Sequence, residues 1–233
     1  MTEKFKRVDG RGLEELRKIE AKIGTIKRAD GSAYFAFGKS RAIAAAYGPR
    51  QLFPQHLQNP EQVLLRCYYD MLSFSVTERK RPGPSRRGSE ISYEATKALE
   101  PAVLVELFPN TVIDIYANIL EADASTRCAA VNAASMALAN GGVPMSELVT
   151  AVSIGKLDKT LVVDVCKEEE DYEEGEGATD IATAFLSKSG KLSMLHIDGN
   201  IRLSELKEAL ELAKKACKKI EEIQKETLKK VGD

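Results

Sequence analysis

Apolar and polar positions alternate from Leu16 to Ile26, with Leu16, Ile19, Ala21 and Ile23 as the apolar members, which predicts a strand. Asp30-Gly31-Ser32 then reads as a turn, Ala33–Phe37 as the returning strand and Arg41–Tyr47 as a third, stopped by Gly48-Pro49. Residues 51–61 carry two prolines and read as a loop, and Val63–Val76 is strand-like. Over Ser89–Leu107 the period changes: Ala95, Ala98, Leu99, Ala102, Val103 and Leu107 form a helical stripe, with Ser89 or Ser92 as N-cap and a break expected at Pro101. Thr111–Leu120 is a strand by its β-branched content. Thr126–Asn140 is an alanine-rich helix suited to close packing and ended by Gly141-Gly142.

The second half repeats this order more loosely. Leu148–Leu157, Leu161–Cys166, Ile181–Leu186 and Lys191–Ile197 read as strands, and Leu203–Leu228 is an amphipathic helix. Strands, helix, strand, helix, strands, helix is an α/β or α+β plan. No linker is long or polar enough to divide the chain into independent units, so the 233 residues are expected to form one domain.

Composition narrows the function classes. The hydrophobic fraction of 43% supports an ordinary core, and the formal net charge of −1 excludes a wholly cationic nucleic-acid coat. Aromatic residues make up 6%, too few for an obvious base-stacking platform. Cys67, Cys128, Cys166 and Cys217 are far apart and only His56 and His196 could join them, so buried free thiols are expected rather than zinc or a disulfide framework. The N-terminus has no apolar leader and the chain has no apolar run of about 18 residues, which predicts a cytoplasmic protein without a membrane span.

Against this neutral background residues 78–90 stand out. Arg79, Lys80, Arg81, Arg86 and Arg87 crowd around Pro82-Gly83-Pro84, directly before a helix. Guanidinium forks beside a helix start suit phosphate oxygens. Ser125, Thr126 and Arg127 form a second such place, where a strand runs into the alanine-rich helix. A third is acidic: residues 168–176 hold seven carboxylates in nine positions and read mostly as a solvated loop. Asp180 differs, because it sits at the lip of the apolar strand Ile181–Leu186, where it could protonate a leaving oxygen or hold Mg²⁺.

In combination these segments resemble the RNase PH family. The carriers are Arg7-Val8-Asp9-Gly10-Arg11 with Glu15-Leu16-Arg17, Ala45-Ala46-Tyr47-Gly48-Pro49-Arg50, Phe74-Ser75-Val76-Thr77-Glu78-Arg79-Lys80-Arg81-Pro82-Gly83-Pro84, Ala122-Asp123-Ala124-Ser125-Thr126-Arg127 and Ile197-Asp198-Gly199, spread over about residues 7–228. The resemblance is greatest to the catalytic RNase PH-like subunit of the archaeal exosome. It implies a ribosomal-protein-S5-domain-2-like fold with duplicated β-α units. It also implies phosphorolysis, in which inorganic phosphate as co-substrate attacks the 3′-terminal phosphodiester of RNA and releases nucleoside diphosphates.

By the same resemblance, Ser125, Thr126 and Arg127 would bind phosphate, Arg86 and Arg87 would flank the scissile phosphate, and Asp180 would be the catalytic acid and a possible Mg²⁺ ligand. Arg66, Arg79, Lys80 and Arg81 would guide single-stranded RNA. The implied partners are a non-catalytic RNase PH-like subunit, alternating with this chain in a hexameric ring (a trimer of heterodimers), and an S1/KH-type cap. Two alternatives stay open: a non-catalytic RNA-binding ring subunit, and a homohexameric enzyme trimming transfer-RNA 3′ ends. The chain departs from the family pattern at Ser125, where glycine is usual, at Tyr68, where a basic residue is common, and around Asp180 in Gly177-Ala178-Thr179-Asp180-Ile181-Ala182.

Overall fold

The structure, a computed structural model, describes residues 7–230. The polar N-terminal segment, residues 1–6, and the last three residues of the expected domain lie outside it.

Two sheets carry the fold. The first contains β1 (Ile19–Ile23), β2 (Gly31–Phe37), β3 (Ser40–Gln51), β4 (Leu64–Met71) and β5 (Thr111–Glu121), in the order β1-β2-β3-β5-β4. β1, β2, β3 and β5 pair antiparallel, with Ile19 opposite Phe37 and Ala44 opposite Ala117. β4 lies parallel to β5, with Cys67 beside Ile115. A parallel neighbour needs a crossover, and helix α1 (Arg86–Leu99) provides it. The second sheet is antiparallel: β6 (Val149–Leu157), β7 (Thr160–Val163), β8 (Ala178–Leu186) and β9 (Leu192–Asp198), in the order β7-β6-β8-β9. A short helix α3 (Lys167–Glu170) joins β7 to β8.

Each sheet is followed by a helix, α2 (Thr126–Asn140) and α4 (Leu203–Lys229), which makes the duplicated β-α plan. Every residue of α2 from Cys128 to Leu138 is buried, as a helix enclosed on all sides requires. Small side chains permit this. A Cβ on Gly31 of β2 would collide with the Ala137 carbonyl and the Gly141 backbone, so α2 lies directly on the strand. Asn132 pairs with β6 like an extra strand residue: Nδ2 donates to Ala151 O at 2.7 Å, and Ala151 N donates to Oδ1 at 3.0 Å. Gln224 of α4 also donates to Asn132 Oδ1, at 2.9 Å. One apolar cluster runs from Phe35 and Ile115 of the first sheet through α2 to Val152, Ile181 and Ile220. The four cysteines are buried and free, and burial pushes the Cys67 and Cys217 thiols up to about 12.

Several sequence expectations shift. Helix α1 begins three residues earlier than Ser89, because Ser85 Oγ accepts from Gly88 N at 3.0 Å and is the cap. Ser89 is inside the helix, its hydroxyl donating back to Ser85 O. The break expected at Pro101 is present, so the helix does not reach Leu107: α1 stops at Leu99 and a 3-10 turn, Glu100–Ala102, takes over. β4 stops at Met71 instead of running to Val76, and β7 stops at Val163, where Asp164 turns to φ 58°. Asp180 is the third residue of β8, not the residue before it.

The acidic stretch is only partly a solvated loop. Glu169 is buried and receives Arg7 Nε and Nη2, both at 2.7 Å. Burial pushes the Glu169 acid up, but the Arg7 guanidinium and the Cys166 N–H outweigh it and hold the carboxyl below its ordinary range. Arg17 grips Asp164 in the same way, Nη2 to Oδ1 at 2.7 Å and Nε to Oδ2 at 3.0 Å, and reaches Asp123 O at 2.6 Å. The N-terminal arginines thus clamp the floor under the start of α2.

Candidate active site

The C-terminal end of β5, the N-terminus of α1 and the N-terminus of α2 meet opposite β8. Between them is a cleft of about 320 Å³ lined by Arg87, Ser125, Thr126, Arg127, Lys167, Glu170 and Asp180, with Glu78 at its rim. Side-chain alternation and helix starts decide who faces it. Tyr69 points inward from β4 and Arg66 outward. Arg87 is in the first turn of α1 and Arg127 in the first turn of α2. The first-turn N–H groups of α2 have no acceptor within their helix, and the dipole there favours an anion.

The three residues at this tip behave differently. Ser125 has a left-handed backbone, φ 52°, and its hydroxyl is turned inward: it meets Ser153 Oγ at 2.5 Å and donates towards Val165 O at 3.2 Å. The Ser125 hydroxyl is thus engaged within the protein, which leaves its backbone as the part it would offer to an anion in the cleft. Thr126 accepts the Tyr69 phenol on Oγ1 at 3.0 Å. Arg127 lies with Nε 2.9 Å from Glu94 Oε2. Glu94 was not among the residues singled out in the sequence, and its second partner, His196 of β9, whose Nδ1 is 2.8 Å from Oε1, was named there only as a possible companion of the cysteines. A carboxylate on the polar side of a helix gives no sequence signal for a partner on another element.

Asp180 is partly buried, and its Oδ1 is enclosed without a hydrogen-bond partner among the described residues. Burial and the Glu170 charge push its pKa up to about 6, with Arg127 and His196 pulling down and Asp198 pushing up. Asp198 is its register partner across the β8–β9 ladder. This pairing puts two carboxylate residues side by side on the ladder, one with an enclosed oxygen that lacks a hydrogen-bond partner, and oxygen donors of this kind suit a hard cation such as Mg²⁺.

The remaining sequence candidates lie elsewhere. Arg86 is exposed in the first turn of α1, outside the cleft lining. Arg79, with Phe74 and Thr77, lines a neighbouring surface hollow. Lys80 reaches Asp70 Oδ1 at 3.6 Å, and Arg81 is exposed on the turn. Arg66 is on the opposite face of the sheet, bound to Asp114 at 2.7 and 2.9 Å beside the stacked rings of Tyr68 and Tyr116. Lys167 and Glu170 were missed, because the short helix α3 that carries them reads as undifferentiated charge. Among the described residues no helix is long and apolar enough to cross a membrane.

Known proteins place this arrangement. Residues 15–144 match the model of "3′ exoribonuclease family, domain 1" and residues 147–216 that of "domain 2". The chain is 46% identical to the exosome complex component Rrp41 of Thermococcus gammatolerans, over 97% of this chain and 90% of that protein. It is likewise 46% identical to Rrp41 of Methanopyrus kandleri, over 96% and 92%. Among solved structures, rice Rrp46 superposes with a TM-score of 0.83 at 23% identity, over 95% of this chain and 100% of that one. A chain of the Archaeoglobus fulgidus exosome with RNA bound to the active site superposes at 0.79 with 19% identity, over 93% and 92%. These two likenesses show the fold.

Proposed function

The chain belongs to the RNase PH-type 3′ exoribonuclease family, and from that premise we propose that it is the phosphorolytic 3′-to-5′ subunit of an archaeal exosome ring. The observation that carries this is the convergence of Arg87, Thr126, Arg127 and Asp180 on one cleft at the tip of α2. Inorganic phosphate is the co-substrate and the 3′ end of single-stranded RNA the substrate.

Both reactants are anions, so the site must first neutralise and align them. The first-turn N–H groups of α2, the Thr126 hydroxyl and Arg127 hold phosphate, and Arg87 meets the terminal phosphodiester. A phosphate oxygen forms a new bond to the phosphorus of the last nucleotide while the bond from that phosphorus to the 3′ oxygen of the preceding nucleotide breaks. The leaving 3′ oxygen takes a proton, and Asp180, held up to about 6, supplies it. The product is a nucleoside diphosphate and an RNA one nucleotide shorter. Mg²⁺, where bound, would be held by Asp180 and Asp198 as carboxylates and would neutralise phosphate charge, a role that takes the place of proton donation by Asp180.

Arg79, Lys80 and Arg81 guide the strand from outside the cleft. Arg66, on the opposite face of the sheet, fits a second stretch of the RNA path. The chain works as one domain in a hexameric ring, a trimer of heterodimers with a non-catalytic RNase PH-like subunit, beneath an S1/KH-type cap in the cytoplasm. Mixing the chain with that partner, phosphate and labelled poly(A) should yield ADP, and an assembled ring that yields none overturns the proposal. Activity from this chain alone would point to a homohexamer. Unchanged degradation by Asp180→Asn would make it a non-catalytic subunit.

A further inference from the structure

Glu94 connects two residues that the proposed chemistry leaves unconnected. Its Oε2 is 2.9 Å from Arg127 Nε, and its Oε1 is 2.8 Å from His196 Nδ1. Glu90, one turn earlier on α1, is 3.7 Å from the same Nδ1. Glu90, Glu94 and His196 are compact enough to hold a metal ion, with donor atoms within 4.8 Å of one another. Oε1 is already taken by the imidazole, however, and Oε2, which makes no hydrogen bond, lies in ion-pair contact with a guanidinium cation that a metal would have to displace.

The geometry points to a different task. A carboxylate beside an arginine tends to take two of its nitrogens at once. Here the imidazole occupies Oε1, and Glu94 meets Arg127 through Oε2 alone, in an ion-pair contact at Nε where neither atom makes a hydrogen bond. Among the described residues Glu94 is the one carboxylate in ion-pair range of Arg127, and the side chain is only 11% exposed. The terminal guanidinium nitrogens are thereby left for an anion, on a side chain whose freedom is already restricted. Binding phosphate then costs less ordering of the arginine.

We propose that Glu94 and His196 are positioning residues for phosphate: Glu94 tethers Arg127 at Nε, and His196 keeps that tether one-pronged. The inference rests on the reading of the α2 tip as the phosphate site. Neither residue touches RNA in this reading, so the effect should be confined to phosphate.

The test is calorimetric titration of inorganic phosphate into the assembled ring, with RNA affinity and phosphate-dependent turnover measured alongside. Glu94→Gln should weaken phosphate binding about five- to tenfold and raise KM for phosphate in step, with RNA affinity and kcat at saturating phosphate little changed. His196→Ala should weaken phosphate about threefold, while His196→Asn, whose amide can stand where Nδ1 stood, should stay within about twofold of wild type. Phosphate affinity unmoved by Glu94→Gln overturns the inference. So does equal loss of phosphate and RNA affinity, or an Asn variant as impaired as the Ala one. If Glu94→Gln fails to assemble, the His196 pair alone decides. A wild-type ring that binds phosphate with this dependence but releases no ADP keeps the inference and removes phosphorolysis. A wild-type ring that binds no phosphate removes the inference.

Discussion

Tyr69 donates its phenolic hydrogen to the hydroxyl of Thr126 at 3.0 Å, across the buried gap between β4 and α2. With one Oγ1 lone pair so occupied, the hydroxyl hydrogen of Thr126 is left to donate into the cleft. Burial pushes the Tyr69 phenol up, so it remains a donor over the working pH range. Tyr69→Phe should therefore weaken phosphate binding a few-fold and cost about 1 kcal/mol of stability. Phosphate titration and urea unfolding read the two effects separately, and an unchanged phosphate affinity would remove Tyr69 from the site.

Asp180 should trade stability for function. Its carboxyl is held near 6 against an ordinary 3.8, so the fold disfavours the ionised form. Below pH 3.8 the group is protonated in both folded and unfolded chains and nothing is lost. As pH rises towards 6 the unfolded chain gives up its proton first, and stability falls by about 2–3 kcal/mol by neutral pH. Asp180→Asn should abolish turnover yet raise the melting temperature at pH 7, with the advantage fading near pH 4. Turnover of the wild type should decline as pH rises above about 6, as protonated Asp180 becomes scarce.

The arginines should separate by position. Arg87→Ala should lower turnover by about 10²-fold, the scale of losing one charge-stabilising group, whereas Arg86→Ala and Arg81→Ala should lower it far less. Equal losses would undo the distinction between the cleft and the turn before it. The outer cations should instead govern strand capture, so RNA affinity should fall steeply with salt, and the slope should flatten when Arg79, Lys80 and Arg81 are replaced together. Fluorescence anisotropy across a salt series checks this.

Ser125 invites a paired comparison. Ser125→Gly removes the inward hydroxyl but suits the φ of 52°, whereas Ser125→Ala removes the hydroxyl and keeps the left-handed strain. The alanine variant should be less stable than the glycine one by about 1 kcal/mol. Both should retain phosphate binding, because only the backbone faces the ligand. A glycine variant that loses phosphate would restore the hydroxyl to the site.

Much of this was legible in the chain because it is local. Alternation located β1, β-branched content located β5, alanine spacing located α2, and the period of α4 was plain. Ser125, Thr126, Arg127, Arg87 and Asp180 were visible as charge and hydroxyls next to element ends. What escaped depends on distant partners. The start of α1 was misplaced because Ser85, Ser89 and Ser92 are all good caps, and only packing selects the first. That Arg66 is bound to Asp114, and that Glu169 is buried under Arg7, follows from pairings 48 and 162 residues apart. The inward turn of the Ser125 hydroxyl follows from Ser153, on a strand the local sequence does not touch.

The enclosure of α2 has one more consequence. Its amides from about the second turn to Leu138 have no route to water short of opening both sheets, and should exchange hydrogen for deuterium only on global unfolding. The tip at Thr126 and Arg127 is the one portion of that helix that ends in the cleft. A ligand seated there would be recorded as slowed exchange at the tip alone, a local signal against a silent background.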